Sequence, residues 1–223
     1  MHSNSTPDVK EDKLRINEIF FSLQGETSRV GLPSTFIRLT GCPLRCNWCD
    51  TTYAFQGGEW MSIPFILNKV AQFPTRIITV TGGEPLAQKA CTTLLDELCS
   101  AGYNVSLETS GALDISTVNP RVSRIMDIKA PGSGEAERNH WPNINNLNAH
   151  DEVKLVIANR ADYDWFKEII TCYRLTERCP VLMAPVQGQQ SATELAEWIL
   201  ADGLLVRLQL QLHKILWGNS PGH

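Results

Sequence analysis

Apolar runs alternate along the chain with segments whose apolar residues recur at helical spacing. The runs are rich in Val, Ile, Leu and Thr and are bounded by Gly, Pro or Asn, which predicts strands at 16–24, 34–41, 76–83, 104–111, 122–130, 152–159, 181–188 and 204–212. Helical spacing and capping residues predict helices at 62–73, 86–102, 162–174 and 191–203. This alternation favours an α/β fold with a largely parallel sheet, whose functional groups lie at the C-terminal ends of the strands.

The pattern contains no internal repeat and no domain boundary. Residues 1–15, MHSNSTPDVKEDKLR, are predicted to form a polar lead-in, and residues 16–223 a single domain. The polar stretch at 131–150 has no periodicity and predicts a long loop with short turns. Such loops in compact domains are often functional.

Composition and charge narrow the class of protein. The chain has 223 residues, 43% of them hydrophobic, and a net charge of −4. Sequence-independent nucleic-acid binding needs a basic face, so we expect no nucleic acid as a partner. No apolar run is long enough to span a membrane, and the N-terminus lacks the apolar core of a signal peptide. We therefore expect a cytoplasmic protein whose seven cysteines are ligands or core residues rather than disulfides.

Three of the cysteines lie close together in GCPLRCNWCD, at 41–50. Their polar neighbours argue against three buried core thiols, although free cysteine is often buried. A structural zinc ion usually takes four protein ligands, and the chain has no second Cys-x-x-Cys and only scattered histidines. An iron–sulfur cubane normally takes four cysteines, so three would leave one iron open to a small molecule. The iron–sulfur cluster explains the count best.

The spacing Cys42-x-x-x-Cys46-x-x-Cys49 resembles the signature of the radical S-adenosylmethionine (SAM) enzymes, and TVTGGEP, LETSG and MDIKAPGSGE follow in that family's order. The resemblance implies a [4Fe–4S] cluster on these cysteines, SAM on the open iron, and an incomplete, shortened (β/α) barrel. It implies no catalytic side chain beyond the radical derived from the cofactor. The residues that it assigns to SAM are Trp48, Cys49, Asp50, Gly82, Gly83, Glu84, Glu108, Ser110, Asp127, Ile128 and Lys129.

The segments EIFFSLQGE (18–26) and PSTFIRLTGCPLRCNWCDT (33–51) and the tail RLQLQLHKILWG (207–218) resemble the 7-carboxy-7-deazaguanine synthases of queuosine biosynthesis. This resemblance implies a lyase that converts 6-carboxy-5,6,7,8-tetrahydropterin into 7-carboxy-7-deazaguanine with loss of ammonia. It further implies a homodimer, a flavodoxin-type electron donor and a Mg²⁺ ion on Thr51. The residues that it assigns to the substrate are Leu23, Gln24, Gly25, Arg38 and Thr81.

Several of these residues have simpler interpretations that the sequence leaves open. Arg38 lies in an apolar strand and needs an anionic partner, which is either the substrate carboxylate or an internal Asp or Glu. Trp48 is also suited to cover the cluster, and a strand-end lysine such as Lys129 is often only solvated. Asp50 is expected to orient either the Mg²⁺ shell or the adenine side, and His213 to approach the site from the C-terminal segment. The remaining cysteines are interpreted as structural: Cys91, Cys99, Cys172 and Cys179.

Two other functions compete with the lyase. A glycyl-radical enzyme activase shares the cysteine spacing, but nothing in SLQGE or the tail calls for a protein substrate. A zinc-binding interaction module is the alternative from another class. The two classes differ in colour, because iron–sulfur clusters absorb visible light near roughly 400 nm and zinc sites do not.

Overall fold

The computed structural model describes residues 12–218, 220 and 222. Within these residues, nine strands form one sheet in the order β3-β1-β2-β4-β5-β6-β7-β8-β9. Their bounds are β1 Lys13–Leu23, β2 Pro33–Leu39, β3 Glu59–Ser62, β4 Ile77–Gly82, β5 Asn104–Thr109, β6 Ser123–Ile128, β7 Glu152–Ile157, β8 Val181–Pro185 and β9 Arg207–Leu208. β2 and β4 to β9 run parallel to one another. At one edge, β1 pairs antiparallel with both β2 and β3. Because no pairing between described residues joins β3 to β9, the barrel is not closed.

In the described part of the chain, five α-helices connect or follow the strands, and the predicted α/β fold is confirmed. They are α1 Ile63–Val70, α2 Cys91–Ser100, α3 Arg160–Tyr173, α4 Ala192–Asp202 and α5 Leu212–Trp217. Side-chain oxygens cap two of them, because Asn159 accepts from Asp162 N–H and Ser191 from Glu194 N–H. The core lies between the sheet and the helices, where residues such as Leu94, Leu98 and Phe166 are fully buried.

The helix predicted at 86–102 starts later than its apolar pattern suggested. Pro85–Ala87 forms a short 3₁₀ helix, and α2 begins only at Cys91. Between them Gln88 is extended, and its amide bonds the backbone N–H and C=O of Arg15 and the C=O of Thr40. These tertiary hydrogen bonds interrupt the helix and link it to β1.

Three further predictions need correction at short elements. The strand predicted at 204–212 is wrong in extent, since only Arg207–Leu208 pairs with β8 and the chain then turns into α5. The strand predicted at 181–188 ends at Pro185, because proline has no N–H to donate to a neighbouring strand. β3 and α5 were not predicted at all, because four and six residues are too few to show a period.

The ends of the chain and the long polar loop complete the fold. Residues 1–11 of the predicted lead-in lie outside the described residues, and residues 13–15 already belong to β1. The loop at 131–150 contains three short 3₁₀ helices, in agreement with a loop that holds short turns. Among the described residues, no helix combines the length and apolarity that crossing a membrane requires.

Candidate active site

A cavity lies at the C-terminal ends of the parallel strands. Its wall is formed by the loop after β2, the ends of β4, β5, β6 and β8, and the segment that leads into α5. The loop after β1 enters this cavity from the other side, because β1 is antiparallel and Leu23 pairs with the first residue of β2. The predicted site residues that line the cavity are Leu23, Gln24, Arg38, Cys42, Cys46, Trp48, Cys49, Asp50, Thr51, Thr81, Gly82, Gly83, Glu108, Ser110, Asp127 and Lys129.

Three residues that the resemblance assigned to ligands lie outside this lining: Gly25, Glu84 and Ile128. Ile128 is buried in the core, while its neighbours Asp127 and Lys129 face the cavity. Alternate residues of a strand face opposite sides, so this placement follows from the period of β6. Gly25 and Glu84 support the site indirectly, through the contacts described below.

Backbone hydrogen bonds hold the loop with the three cysteines at its start and near its middle. Glu84 N–H donates to Gly41 C=O at 2.8 Å, and Asn47 N–H donates to Ser133 C=O at 3.0 Å. Gly83 packs so closely that a Cβ at this position would lie 2.6 Å from Cβ of Cys42. The thiols themselves are free and partly buried, and each lines the cavity. The loop therefore presents three thiols to one open space.

The arrangement of the thiols distinguishes between a single ion and a cluster. Among the described residues, no three His, Cys, Asp or Glu side chains are placed to share one metal ion. A zinc ion would need such a set, whereas an iron–sulfur cluster gives each cysteine an iron of its own. Burial raises the pKa of Cys46, and the ammonium of Lys129 acts in the opposite direction. Three free thiols on one wall fit a cluster with three cysteine ligands.

Glu84 is fully buried and does not reach the cavity. Its carboxylate accepts the hydroxyl of Thr109 at 2.9 Å, the N–H of Ser110 at 2.6 Å and the N–H of Leu86 at 3.0 Å, and it also accepts the Ser110 hydroxyl. These donors belong to the end of β5 and to the 3₁₀ helix Pro85–Ala87. Glu84 thus fixes the edge on which Gly83 and Ser110 face the cavity.

The inner part of the cavity contains a buried ion pair that sequence reasoning missed. Lys154 of β7 pairs with Glu26 of the loop after β1, and Gln211 donates to Glu26 at 2.7 Å. Burial alone would raise the pKa of Glu26, but the charge and hydrogen bonds of Lys154 and Gln211 lower it below its ordinary value. Glu108 accepts from Thr81 at 2.9 Å and from Gln24 at 3.3 Å; burial and the nearby Glu26 charge raise its pKa.

Arg38 has the internal partner that the sequence left open. Its Nε lies 2.6 Å from a Glu18 oxygen, which also accepts the Tyr53 hydroxyl at 2.9 Å. The guanidinium lies near the rings of Phe20 and Tyr53. Among the described residues, the hydrogen bond recorded for Arg38 uses Nε, and a guanidinium has four further N–H donors. The ion pair with Glu18 therefore leaves donors for a ligand in the cavity.

The C-terminal segment closes one side of the cavity through Gln211, His213 and Lys214. Lys214 Nζ lies 2.7 Å from Oδ2 of Asp50, and the Thr51 hydroxyl donates to Oδ1 of Asp50 at 2.9 Å. Burial alone would raise the pKa of Asp50, but Lys214 holds it well below its usual range. Of the three residues of the C-terminal segment, only His213 was predicted, from its place in LHK.

Gly25 makes room for this segment. Leu212 N–H donates to Gly25 C=O at 2.9 Å, and a Cβ on Gly25 would lie 2.0 Å from Nδ1 of His213. We therefore expect Gly25→Ala to displace the C-terminal segment and to lower the free energy of unfolding by about 1–3 kcal/mol, as overpacking usually does. Denaturant unfolding measures this change. The double variant with His213→Ala should recover most of the loss; an equal loss in both variants would reject the steric explanation.

Comparisons with known proteins agree on one relationship. The model of the Radical SAM superfamily matches residues 36–174. The 7-carboxy-7-deazaguanine synthase of Chlorobaculum tepidum is 46% identical over 93% of this chain and 96% of that protein. The enzyme of the same name from Koribacter versatilis is 39% identical over 92% of this chain and 97% of that protein.

Two solved structures share the architecture. The crystal structure of QueE from Escherichia coli is 25% identical, with a TM-score of 0.72 over 94% of this chain and 100% of that chain. SuiB of Streptococcus suis, in complex with S-adenosylmethionine, is similar in fold alone. It is 11% identical, with a TM-score of 0.54 over 77% of this chain and 45% of that chain.

Proposed function

Because the chain belongs to the radical SAM superfamily and, within it, to the 7-carboxy-7-deazaguanine synthases, we propose that it is a lyase of 7-deazapurine biosynthesis. It converts 6-carboxy-5,6,7,8-tetrahydropterin into 7-carboxy-7-deazaguanine with release of ammonia. The observation that carries this proposal is the loop of three free thiols on a cavity that has polar groups deeper inside. A glycyl-radical activase would need a surface for a protein substrate, and no feature of this cavity favours one.

Cys42, Cys46 and Cys49 hold the cluster, and Trp48, Asp50, Gly82, Gly83, Ser110, Asp127 and Lys129 surround SAM. When bound, the cluster and SAM supply a 5′-deoxyadenosyl radical that takes a hydrogen atom from the substrate. Gly83 leaves the space that this assembly needs, since a side chain would collide with the cysteine loop. Glu84 contributes by holding Ser110 in place rather than by touching SAM. Ile128 supports the same wall from the core side.

The substrate carries a carboxylate and a guanine-like edge, and the inner cavity offers groups for both. The amide of Gln24, the Thr81 hydroxyl and the carboxylate of Glu108 can exchange hydrogen bonds with the ring edge. Leu23 lines the same side, and Gly25 positions the segment that closes it. Arg38 offers its remaining donors to the substrate carboxylate, for which a guanidinium is well suited.

The Arg38 assignment predicts a selective defect. We expect Arg38→Ala to raise the KM for the carboxypterin by about 10- to 100-fold, since a hydrogen bond to a charged group contributes roughly 1.5–3 kcal/mol. Cleavage of SAM by the reduced enzyme in the absence of substrate should persist. Steady-state kinetics and the yield of 5′-deoxyadenosine measure the two effects, with Arg160→Ala, on the exposed face of α3, as the control. An unchanged KM would remove Arg38 from the substrate site.

Thr51 is the proposed ligand of a Mg²⁺ ion. Its hydroxyl donates its proton to Asp50, so the lone pairs of its oxygen remain for a cation. Mg²⁺ prefers oxygen ligands and keeps several waters, so one hydroxyl suffices when the substrate supplies further oxygens. The residues at this position thus fit a cation that is shared with the substrate.

The further partners follow from the family resemblance and from the chemistry. A reduced cluster needs a one-electron donor, for which we propose a flavodoxin-type protein, and the free thiols suit the reducing cytoplasm. We also propose that two copies form a homodimer and that residues 16–223 act as one radical SAM domain.

An anaerobic reaction tests the proposed function. The enzyme with reconstituted cluster is mixed with SAM, Mg²⁺, a reductant and the carboxytetrahydropterin, and the product is identified by mass spectrometry. We expect 7-carboxy-7-deazaguanine and one equivalent of ammonia. A reaction that cleaves SAM but never forms the deazaguanine would leave a radical SAM enzyme with a different substrate.

A further inference from the structure

Among the described residues, each carboxylate that lines the cavity has an ion-pair or hydrogen-bond partner. Four acidic side chains line it: Glu26, Asp50, Glu108 and Asp127. Glu26 pairs with Lys154, and Asp127 with Lys129 at 3.1 Å. Glu108 accepts from Thr81 and Gln24. Each of these three carboxylates is therefore already engaged, and none of the three is the neighbour of Thr51 in sequence.

Asp50 is the carboxylate next to Thr51, and three donors surround it. Lys214 Nζ lies 2.7 Å from Oδ2, Gln211 Nε2 lies 3.4 Å from the same oxygen, and the Thr51 hydroxyl lies 2.9 Å from Oδ1. The lysine comes from α5 and is only 14% exposed, whereas Asp50 is 50% exposed, so the ammonium is held against a carboxylate that solvent still reaches. The charge that would attract a cation to Thr51 is thus neutralised by a residue of the C-terminal segment.

A neutral hydroxyl alone is a poor site for Mg²⁺, which gives up water reluctantly and is usually held by one or two carboxylates plus oxygens of the substrate. We propose that Lys214 makes cation binding at Thr51 depend on the substrate, because it withdraws Asp50 as a ligand until the substrate brings a carboxylate of its own. This inference rests on the proposed Mg²⁺ site and substrate. Lys214 acts here as a positioning residue, since it works through Asp50.

This role has a chemical consequence for the order of binding. With Lys214 in place, the cation enters together with the substrate and takes oxygens from Thr51 and from the substrate carboxylate. Without Lys214, Asp50 becomes an uncompensated carboxylate beside Thr51, and the pair forms a cation site that needs no substrate. The cation would then occupy the site before the substrate arrives.

Binding of Mn²⁺, used as a paramagnetic substitute for Mg²⁺, tests the proposal without turnover. Holoenzyme with oxidised cluster and SAM is titrated with Mn²⁺, and the EPR signal of free Mn²⁺ reports binding with and without 6-carboxy-5,6,7,8-tetrahydropterin. For the wild type we expect tighter binding with the substrate, which supplies oxygens to the cation. Because Lys214 acts indirectly through Asp50, we expect its replacement to change substrate-free Mn²⁺ affinity by about 10- to 100-fold. Lys214→Met and Lys214→Gln should bind Mn²⁺ without substrate, and Lys214→Arg should restore the dependence on substrate.

Two further variants identify the groups. Lys167→Met removes another lysine that is paired with an aspartate, Asp202, on the outer helices, and it should behave like the wild type. Asp50→Asn added to Lys214→Met should remove the substrate-free site. Equal Mn²⁺ affinity of the wild type with and without substrate, or a Lys214→Met enzyme that still needs substrate, would overturn the inference. Absence of Mn²⁺ binding even with substrate and SAM would instead reject the cation site at Thr51, and the inference with it.

Discussion

Replacement of any one of Cys42, Cys46 and Cys49 by alanine is expected to abolish turnover while the chain remains folded. Each thiol lies on the loop between β2 and the short 3₁₀ helix Thr52–Phe55. It is partly exposed to the cavity and lies outside the core. The loss of one thiolate leaves the cluster with two cysteine ligands, whereas cysteine normally holds these irons. We expect the iron content and the absorbance near roughly 400 nm to fall to background.

Cys172→Ala is the matched control for these variants. Cys172 is exposed on α3, so its replacement should change neither iron content nor turnover. Circular dichroism and thermal unfolding of the metal-free proteins report whether the fold persists. A cluster variant that keeps substantial turnover would contradict the assignment of that cysteine, and loss of iron in Cys172→Ala would show that the assay reports general damage.

Lys154→Met is expected to give the largest loss of stability of any single change in the cavity. Lys154 is the partner of Glu26, and the two side chains are only 17% and 11% exposed. Removal of one partner leaves a buried charge without compensation, which typically costs about 3–5 kcal/mol. Glu26→Gln together with Lys154→Met should recover most of this loss, because neither charge then remains.

The pH dependence of stability distinguishes this explanation from simple loss of packing. In the wild type the folded-state pKa of Glu26 is lowered, so its contribution is present above the unfolded pKa and is lost as the pH falls through the folded value. Without Lys154, burial dominates and raises that pKa, so stability should fall as the pH rises through it. Urea unfolding between about pH 3 and 8 measures both slopes. If Lys154→Met lowered the free energy of unfolding by the same amount at every pH, the electrostatic explanation would be contradicted.

Most of the residues that the resemblance assigned to the cluster and SAM line the cavity, because they lie in short local motifs. The cysteines and the two glycines lie in short motifs at strand ends, and the predicted α/β fold brings strand ends together. The two-residue period of β6 places the side chain of Ile128 on the opposite face from Asp127 and Lys129. The assignment of Ile128 to SAM therefore stays a prediction that concerns its backbone.

The substrate side was harder to predict, because its contacts join distant segments. Glu26 and Lys154 meet across the sheet, and no local pattern links them. The sequence nevertheless indicates a partner for Lys154, because in EVKLVIAN it is a cation within an apolar strand, as Arg38 is in TFIRLTG. The role of Gly25 depends on the packing of His213 and is visible only in three dimensions.

The fate of one hydrogen atom tests most directly the proposal that this cavity carries out radical chemistry on the carboxypterin. The substrate is prepared with deuterium at C6 and is converted anaerobically by the reconstituted enzyme, and mass spectrometry follows the label. The resemblance to the 7-carboxy-7-deazaguanine synthases implies that the radical takes the hydrogen at C6 and that SAM is regenerated. We therefore predict that 7-carboxy-7-deazaguanine forms while deuterium appears in SAM. Complete retention of deuterium on the pterin, while SAM is cleaved at the normal rate, would contradict the proposed function.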